Sequence, residues 1–195
     1  MARFSAVLDA CVLVPIAQAD TLLHLAEVEL YRPVWSGRIL DEAAHALERI
    51  HPDMLESGAA RRRIRVMDDA FDDARVEGWE ALVSGIELPD PDDRHVVAAA
   101  IQGRADLIIT ANLKDFPREV LDRFNIEVQS PDEFFMNQLD LDPARVMTAL
   151  AAQAGATRHP RLTVRDVLRR LERCNIPVFA AAARAQLWRV DAEQC

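Results

Sequence analysis

The segment LPDPDDRHVVAAAIQGRADLIITANLKDF, residues 88–116, constrains the fold of this chain more than any other stretch. Asp90 suits the cap that precedes a helix, Pro91 suits the first helical position, and Gly103 suits the helix end. Residues 107–109 follow as a short apolar run, which is typical of a strand buried on both faces. A buried strand so soon after a helix indicates a parallel sheet with crossover helices.

Short apolar runs alternate with longer amphipathic stretches along most of the chain. Strands are also predicted at residues 4–8, 33–35, 86–88 and 126–128, and helices at residues 16–30, 36–50, 53–75, 117–124 and 131–139. Strands separated by helices form βαβ units, which place helices on both faces of a parallel sheet. We therefore expect an α/β fold with three layers, α/β/α, around a short parallel sheet.

The last part of the chain, residues 140–195, has no strand pattern and predicts only helices. New helices are expected to begin at Pro143, Thr163 and Pro177. We therefore expect two domains, an α/β domain over residues 1–139 and an all-helical C-terminal appendage over residues 140–195.

Charge is unevenly distributed between these two parts of the chain. Residues 1–139 contain 14 Lys and Arg residues against 26 Asp and Glu, whereas residues 140–195 contain 9 against 6. An acidic body of this kind excludes a protein that holds nucleic acid by its overall charge. If the chain handles a polyanion, bound cations or a local arginine cluster must supply the attraction.

The second C-terminal helix contains such a cluster. Arg165, Arg169 and Arg173 recur at every fourth position and share one helical face. Asp166 is expected to pair with Arg170, four residues on. We expect this basic face to assist the binding of substrate or of a partner and to take no part in catalysis, with an ordinary solvated surface as the alternative.

The sequence has no feature of an exported or membrane protein. No apolar stretch is long enough to span a membrane, and Asp9 interrupts the apolar start of the chain, which argues against a signal peptide. The cysteines, Cys11, Cys174 and Cys195, are odd in number and widely spaced, so a disulfide framework or zinc site is not expected. The expectation is a cytoplasmic protein without membrane contact.

Acidic side chains follow two predicted strands and open the central helix. Asp9 ends the first apolar run, and Asn112 and Asp115 follow the run at residues 107–109. Asp93 shares a helical face with the apolar residues three, four and seven positions later, which is the face that a helix normally buries. An acid in a first turn can simply favour the helix dipole. Several acids at the carboxyl ends of parallel strands, however, indicate a site.

A further acid is expected from the helix at residues 36–50, whose sequence is SGRILDEAAHALERI. Asp41 and Glu42 flank its apolar stripe at nearly equal angles. Periodicity therefore leaves open which of the two points into a site, and charges at the boundary of a solvated helix remain an alternative for both.

Four motifs in this order resemble the PIN domain, in particular the bacterial VapC-type toxins. They are VLDACVL, SGRILDEAAHAL, LPDPDDRHVVAAAI and LIITANLKDFP, and the resemblance covers residues 4–138. It implies a PIN-like three-layer α/β/α ribonuclease domain with three or four acids around one or two Mg²⁺ or Mn²⁺ ions. It leaves the C-terminal helices unaccounted for.

The resemblance assigns roles to individual residues. Asp9, Glu42 and Asp93 match the metal-binding acids, which resolves the choice between the two neighbouring acids in favour of Glu42. The family's fourth position falls at Asn112, which keeps an oxygen ligand but lacks the charge. Asp115 is therefore expected to take over part of that role, and all five residues are candidate catalytic groups.

The implied activity is endonucleolytic hydrolysis of RNA by the toxin of a type II toxin–antitoxin pair. Hard divalent cations prefer carboxylate oxygens, and cations held by the acids would also attract the phosphates of RNA. Thr110 and Arg94 are expected to position the substrate. The expected partners are a small antitoxin, whose tail blocks the acidic site, and a second copy of the chain in a homodimer.

Other acidic α/β folds and other chemistries fit the sequence less well. A receiver domain needs adjacent acids after its first strand and a haloacid dehalogenase-type phosphatase needs Asp-x-Asp, whereas Asp9 is followed by Ala and then Cys11. Nucleophilic catalysis by Cys11 has little support, because no histidine is placed to activate it and His95 is expected to point off the buried stripe. Because Asn112 replaces an acid, a catalytically weak PIN-like module that binds RNA or protein remains the alternative function.

Overall fold

A five-stranded parallel sheet lies at the centre of the α/β part of the chain. The computed structural model describes residues 4–156 and 160–190. The strands are ordered β3-β2-β1-β4-β5 across the sheet, and they are β1 (Ser5–Leu8), β2 (Arg32–Ser36), β3 (Arg75–Val76), β4 (Leu107–Ile109) and β5 (Glu127–Gln129). The predicted α/β class, a three-layer α/β/α fold with a short parallel sheet and a helical C-terminal part, is confirmed.

Helices connect the strands and form all of the regular structure after the sheet. Those that precede or connect strands are α1 (Ala10–Leu13), α2 (Ile16–Glu27), α3 (Gly37–Ile50), α4 (Pro52–Ser57), α5 (Ala59–Ala70), α6 (Arg94–Gln102) and α7 (Arg118–Leu121). Those after the sheet are α8 (Pro131–Leu141), α9 (Pro143–Ala156), α10 (Val164–Arg173) and α11 (Pro177–Arg184). None of the helices in the described part of the chain is both long and apolar enough to cross a membrane.

Strand β1 is buried along its whole length because it lies between β2 and β4. Val7 is paired with Val34 on one side and with Ile108 on the other. The ends of β1 and β4 remain joined beyond the ladder, since the backbone N–H of Asp9 donates to the carbonyl oxygen of Ile109 at 3.2 Å. The residues that follow these two strands therefore begin side by side, at the carboxyl edge where sites form in parallel sheets.

The contacts of the chain group the described residues into two units. One contains residues 4–14 and 32–129, and the other contains residues 15–31, 130–156 and 160–190. In the second unit α2 packs on α9, where the Thr21 hydroxyl donates to Gln153 Oε1 at 2.8 Å and Gln153 Nε2 donates to the carbonyl oxygen of Ala17 at 3.0 Å. Helices α2 and α8 thus group with the C-terminal helices, whereas a domain boundary at residue 139 stays a prediction.

Two predicted elements between residues 53 and 88 are wrong. A single helix over residues 53–75 is replaced by α4 and α5, which are separated at Gly58 with a φ angle of 65°. The strand expected at residues 86–88 is absent from the sheet, whose edge is formed by β3 instead. A strand of two residues is too short to produce a periodic pattern, and β3 depends on pairing with β2.

The basic face of α10 is present, but its acidic partner differs from the prediction. Thr163 caps the helix as expected, and Asp166 completes a capping box with it. Asp166 forms its ion pair with Arg169, three residues on, so the predicted pair with Arg170 is wrong. Arg165 and Arg173 are exposed on the same helix. Elsewhere Cys11 and Cys174 are free thiols, and Cys195 lies outside the described residues.

Gly103, which ends α6, allows that helix to lie close against the sheet. A Cβ atom at this position would lie 2.9 Å from a methyl carbon of Val34 and 2.9 Å from one of Val76. Gly103→Ala should therefore lower the free energy of unfolding in urea by about 1–3 kcal/mol, the usual cost of overpacking. Gly85→Ala is the matched control, because a Cβ there meets no atom within 4 Å. Equal stability of the two variants would contradict this packing.

Candidate active site

The Asp9 carboxylate is held at the point where β1 and β4 end. Asp9 follows β1 directly and is 7% exposed. Its Oδ2 atom accepts a hydrogen bond from the Thr110 hydroxyl at 2.7 Å and another from the Cys11 thiol at 3.1 Å. Both donors use the same oxygen of the carboxylate, and Thr110 follows β4. The adjacency of the two strands therefore fixes the orientation of Asp9.

Thr110 is fully buried and takes part in a second hydrogen bond. Its hydroxyl oxygen accepts the backbone N–H of Asn112 at 3.0 Å while donating to Asp9. The side chain thus links the Asp9 carboxylate to the turn that carries Asn112. A direct role for Thr110 in positioning substrate stays a prediction, whereas its observed contacts orient Asp9.

Cys11 lies beside Asp9 as a protonated thiol. Its sulfur accepts the backbone N–H of Ala111 at 3.3 Å and lies 3.4 Å from the Thr110 hydroxyl. Burial and then the negative charge of Asp9 raise the pKa of the Cys11 thiol to about 12. A thiol with so high a pKa is a poor nucleophile near neutral pH. The arrangement gives Cys11 a role as a hydrogen-bond donor to Asp9.

Asp93 experiences the repulsion of several other carboxylates. It lies in the turn Pro91–Asp93 that opens α6. Burial first, and then the charges of Asp9, Asp90 and Asp115, raise the pKa of the Asp93 carboxyl to about 6. Its Oδ2 atom is buried and has no hydrogen-bond partner among the described residues. These carboxylates are therefore close enough to repel one another, and the charge of His95, which lowers the pKa of Asp93, offsets their effect only in part.

Glu42 is joined to the start of α6 by a histidine. Its Oε1 accepts a hydrogen bond from Arg38 Nε at 3.0 Å, and its Oε2 lies 3.1 Å from His95 Nε2. Burial by itself raises the pKa of Glu42, but the hydrogen bonds and charges of His95 and Arg38 together hold it below its ordinary value. Its neighbour Asp41 is exposed and lines a groove that also includes Arg65.

His95, expected to point off the buried stripe of α6, is itself buried and contacts Glu42. His95 is 1% exposed, and its ring lies 5.9 Å from that of Trp79, measured between centroids. Six successive residues of α6, from His95 to Ala100, are buried. Because the helix is buried on nearly every side, a single apolar stripe could not identify its buried residues. The only feature of the sequence that could have indicated a site role for His95 is its position two residues after Asp93.

Asn112, Asp115 and Arg94 complete the set of predicted site residues. The Asn112 amide donates a hydrogen bond to Asp115 Oδ2, and Asp115 is one of the carboxylates that raise the pKa of Asp93. Asp115 therefore supplies negative charge where Asn112 supplies only a polar contact. Arg94 is half-buried, and its Nε has no hydrogen-bond partner among the described residues.

The oxygen ligands at this edge of the sheet suit a hard divalent cation, although they do not yet converge. Across residues 4–156 and 160–190, no group of three or more His, Cys, Asp or Glu side chains is arranged to hold a metal ion. Oε1 of Glu42 contacts Arg38, and Oε2 contacts His95. Oδ2 of Asp9 already accepts a hydrogen bond from Thr110. A cation beside Asp93 would nevertheless relieve the repulsion that raises its pKa. The residues thus fit a metal after side-chain rearrangement.

Comparison with known protein families decides the identity of this α/β part. Residues 5–114 match the PIN domain. The chain belongs to the PIN-domain family. The matched region of this PIN protein includes Asp9, Glu42, Asp93 and Asn112, and it ends one residue before Asp115. Residues 131–185 match a second family, the VapC50 C-terminal domain.

A curated relative of this PIN protein carries the name "Putative ribonuclease VapC50" and comes from Mycobacterium tuberculosis. The two sequences are 39% identical over 92 residues, which are 47% of this chain and 54% of that protein. The chain thus matches about half the length of this relative. No solved structure is a significant match.

Removal of the Asp93 charge should stabilise the metal-free PIN protein at pH 7.5. Because the folded-state pKa is about 6 and the ordinary value is 3.8, the folded state binds more protons than the unfolded state between these values. Stability therefore falls as pH rises through this interval and stays reduced above it. In EDTA at pH 7.5, Asp93→Asn should melt at a higher temperature than the natural protein, by roughly 2–4 °C for each kcal/mol recovered.

Asp92→Asn is the charge-matched control for this measurement, because Asp92 is exposed and should contribute little. The advantage of Asp93→Asn should shrink at pH 5, where the natural Asp93 carries a proton. A lower melting temperature for Asp93→Asn at pH 7.5 would contradict a destabilising effect of the Asp93 charge.

Proposed function

We propose that this PIN-domain protein is a metal-dependent endoribonuclease that hydrolyses the phosphodiester bonds of RNA. The observation that carries the proposal is the match of residues 5–114 to the PIN domain, together with the Asp9 carboxylate held by Thr110 and Cys11 at the carboxyl edge of the sheet. The pKa of Asp93, which burial and then the charges of Asp9, Asp90 and Asp115 raise to about 6, supports it. Neighbouring carboxylates that repel one another form an attractive site for a divalent ion. The name of the curated relative supports the choice of RNA as the substrate.

In this proposal Asp9, Glu42 and Asp93 hold Mg²⁺ or Mn²⁺, and Asp115 with Asn112 completes the acidic edge. A divalent cation bound there lowers the pKa of a water molecule and neutralises charge on the phosphate. Thr110 and Cys11 keep Asp9 in a fixed orientation through their hydrogen bonds to Oδ2. An oriented carboxylate costs less reorganisation when the ion and the substrate arrive.

Arg94 is proposed to position the substrate. It follows Asp93 directly and is half-buried, and its Nε is a buried donor that has no hydrogen-bond partner among the described residues. Guanidinium groups bind phosphate oxygens well because their donors form a planar fork. The basic face of α10, formed by Arg165, Arg169 and Arg173, is proposed to assist binding of RNA or of a partner without taking part in hydrolysis.

A catalytically weak PIN-like module that binds RNA or protein is the second candidate function. Asn112 stands at a position where the family has an acid, and the Glu42 oxygens are both engaged with Arg38 and His95. Such a module would still bind a ligand at the acidic edge but would not hydrolyse it. The following experiment separates the two functions.

The purified protein should cleave RNA in Mg²⁺ or Mn²⁺ and should lose this activity in EDTA. Glu42→Gln and Asp93→Asn should each lower the rate by roughly 10²-fold or more, because each removes a charge that the reaction uses directly. Asp41→Asn and Asp92→Asn change the exposed neighbours of these acids and should stay close to the natural rate. Gel assays on a defined oligoribonucleotide measure all four variants.

Circular dichroism should first establish that each variant is folded. Equal cleavage with and without EDTA would disprove metal dependence. Loss of cleavage in Asp41→Asn, with Glu42→Gln active, would show that the wrong acid of that pair was chosen. Binding of the oligoribonucleotide without cleavage in any divalent ion would favour the binding module.

We further propose that the protein is the toxin of a type II toxin–antitoxin pair, acts in the cytoplasm and forms a homodimer. The match of residues 131–185 to the VapC50 C-terminal domain supports a VapC-type assignment. A small antitoxin would then insert a cationic side chain, such as Arg, among Asp9, Asp93 and their neighbours. The repulsion between these carboxylates makes a cation a favourable occupant.

Expression of the natural protein alone should arrest growth, and co-expression with a small neighbouring open reading frame should restore it. The Glu42→Gln variant should be harmless but should still co-purify with the antitoxin, which mass spectrometry would identify. Light scattering should give the mass of a dimer. A monomer that has no effect on growth and no co-purifying partner would contradict the toxin assignment.

A further inference from the structure

The two partners of Glu42 differ sharply in their exposure to solvent. The Arg38 side chain, which contacts Oε1, is 42% exposed, whereas the His95 side chain, which contacts Oε2, is 1% exposed. Glu42 itself is 39% exposed. Its carboxylate therefore has one oxygen directed to a buried donor and one directed to a partner at the surface.

His95 has little freedom to leave Glu42. A carboxylate only accepts hydrogen bonds, so His95 Nε2 carries the hydrogen in the 3.1 Å contact. The other ring nitrogen, Nδ1, is buried and has no hydrogen-bond partner among the described residues. The adjacent Trp79 ring and the buried surface of α6 restrict the imidazole. Glu42 is thus the only hydrogen-bond partner that the described residues provide for this imidazole.

Arg38, in contrast, makes contacts that are easily exchanged. It precedes Glu42 by four residues on α3, and exposed pairs at this spacing contribute little to stability. Its second contact, from Nη2 to the carbonyl oxygen of Asp92, is long at 3.4 Å. Water or another cation can replace such a partner at small cost.

We propose that His95 is a positioning residue that keeps Oε2 of Glu42 fixed, while Arg38 is a place-holder on Oε1 that a divalent cation displaces. This inference rests on the proposed function, because it takes Glu42 as a metal ligand. It also explains why the proposed ligands do not converge in the metal-free protein. His95 orients the Glu42 carboxylate, and Arg38 neutralises its charge until a cation takes the place of the guanidinium. Exchange at Oε1 then requires movement of an exposed arginine and leaves the buried histidine in place.

The two residues should affect metal affinity in opposite directions. His95→Phe removes the donor to Oε2 and should weaken Mn²⁺ binding by about 10-fold or more, as loss of a partner that orients a ligand usually does. His95→Gln keeps an N–H donor and should restore most of the affinity. Arg38→Met removes the competitor at Oε1 and should tighten binding by about 1.5- to 5-fold, the factor expected for an exposed ion pair.

Binding of Mn²⁺ to the purified full-length protein, followed by the electron paramagnetic resonance signal of free Mn²⁺, measures these constants without any assay of cleavage. Arg49→Met removes a positive charge from the same helix, and His45→Phe removes an exposed histidine from it. Both controls should bind Mn²⁺ as the natural protein does. If Arg49→Met tightened Mn²⁺ binding as much as Arg38→Met, the loss of any positive charge on α3 would explain the result, and the role proposed for Arg38 would be wrong.

The natural protein and Glu42→Gln separate failure of this inference from failure of the proposed function. No Mn²⁺ binding by the natural protein, or unchanged binding by Glu42→Gln, would remove the metal role of Glu42 itself. Weakened binding by Glu42→Gln together with unchanged binding by His95→Phe, or weaker binding by Arg38→Met, would overturn only the roles of His95 and Arg38. If His95→Phe did not fold, near-natural affinity in His95→Gln and tighter binding in Arg38→Met would still be required.

Discussion

The burial of the Asp93 carboxylate, together with its repulsion by Asp9 and Asp115, is the constraint on which the rest of this site depends. A parallel sheet brings the residues after β1 and β4 together at one edge, and the turn before α6 adds another acid there. Each carboxylate must then be hydrated, protonated or paired. Asp9 is paired with the Thr110 hydroxyl and the Cys11 thiol, whereas Asp93 has a raised pKa and a buried oxygen that no described residue contacts by a hydrogen bond.

Such an arrangement lowers the stability of the metal-free protein, and its retention is understandable only if the site has a use. Residues that bind ions or reacting groups are often destabilising where they lie. Glu42 differs from Asp93 in this respect, because Arg38 and His95 provide it with two hydrogen-bond donors. The acids of the site are therefore unequally compensated, and the least compensated acid identifies where a cation would have the largest effect.

The C-terminal helices contribute to the burial of a segment that precedes β2 in the chain. Helix α2 lies within the region that matches the PIN domain, yet it is hydrogen-bonded to α9. The Thr21 hydroxyl donates to Gln153 Oε1, and Gln153 Nε2 donates to the carbonyl oxygen of Ala17. Without α9, the Thr21 hydroxyl would keep its hydrogen bond to the carbonyl oxygen of Ala17 at 2.9 Å, but the apolar side chains of α2 that pack on α9 would be exposed. The described residues between 131 and 185 belong to the same structural unit as α2.

Local patterns in the sequence were sufficient for the strands β1, β2 and β4, for the Thr163 cap of α10, and for the recognition of Asp9 and Asp93 as unusual acids. Asp90 is a cap as expected, but of the turn Pro91–Asp93, and α6 begins only at Arg94 without a side-chain cap. These features depend on residues close together in the chain, so periodicity and capping chemistry reveal them. The pairing of β3 with β2, the contact between His95 and Glu42, and the resulting difference between Glu42 and exposed Asp41 were decided by tertiary structure. Each depends on a neighbour from a distant part of the sequence, about which the spacing of residues within one helix carries no information.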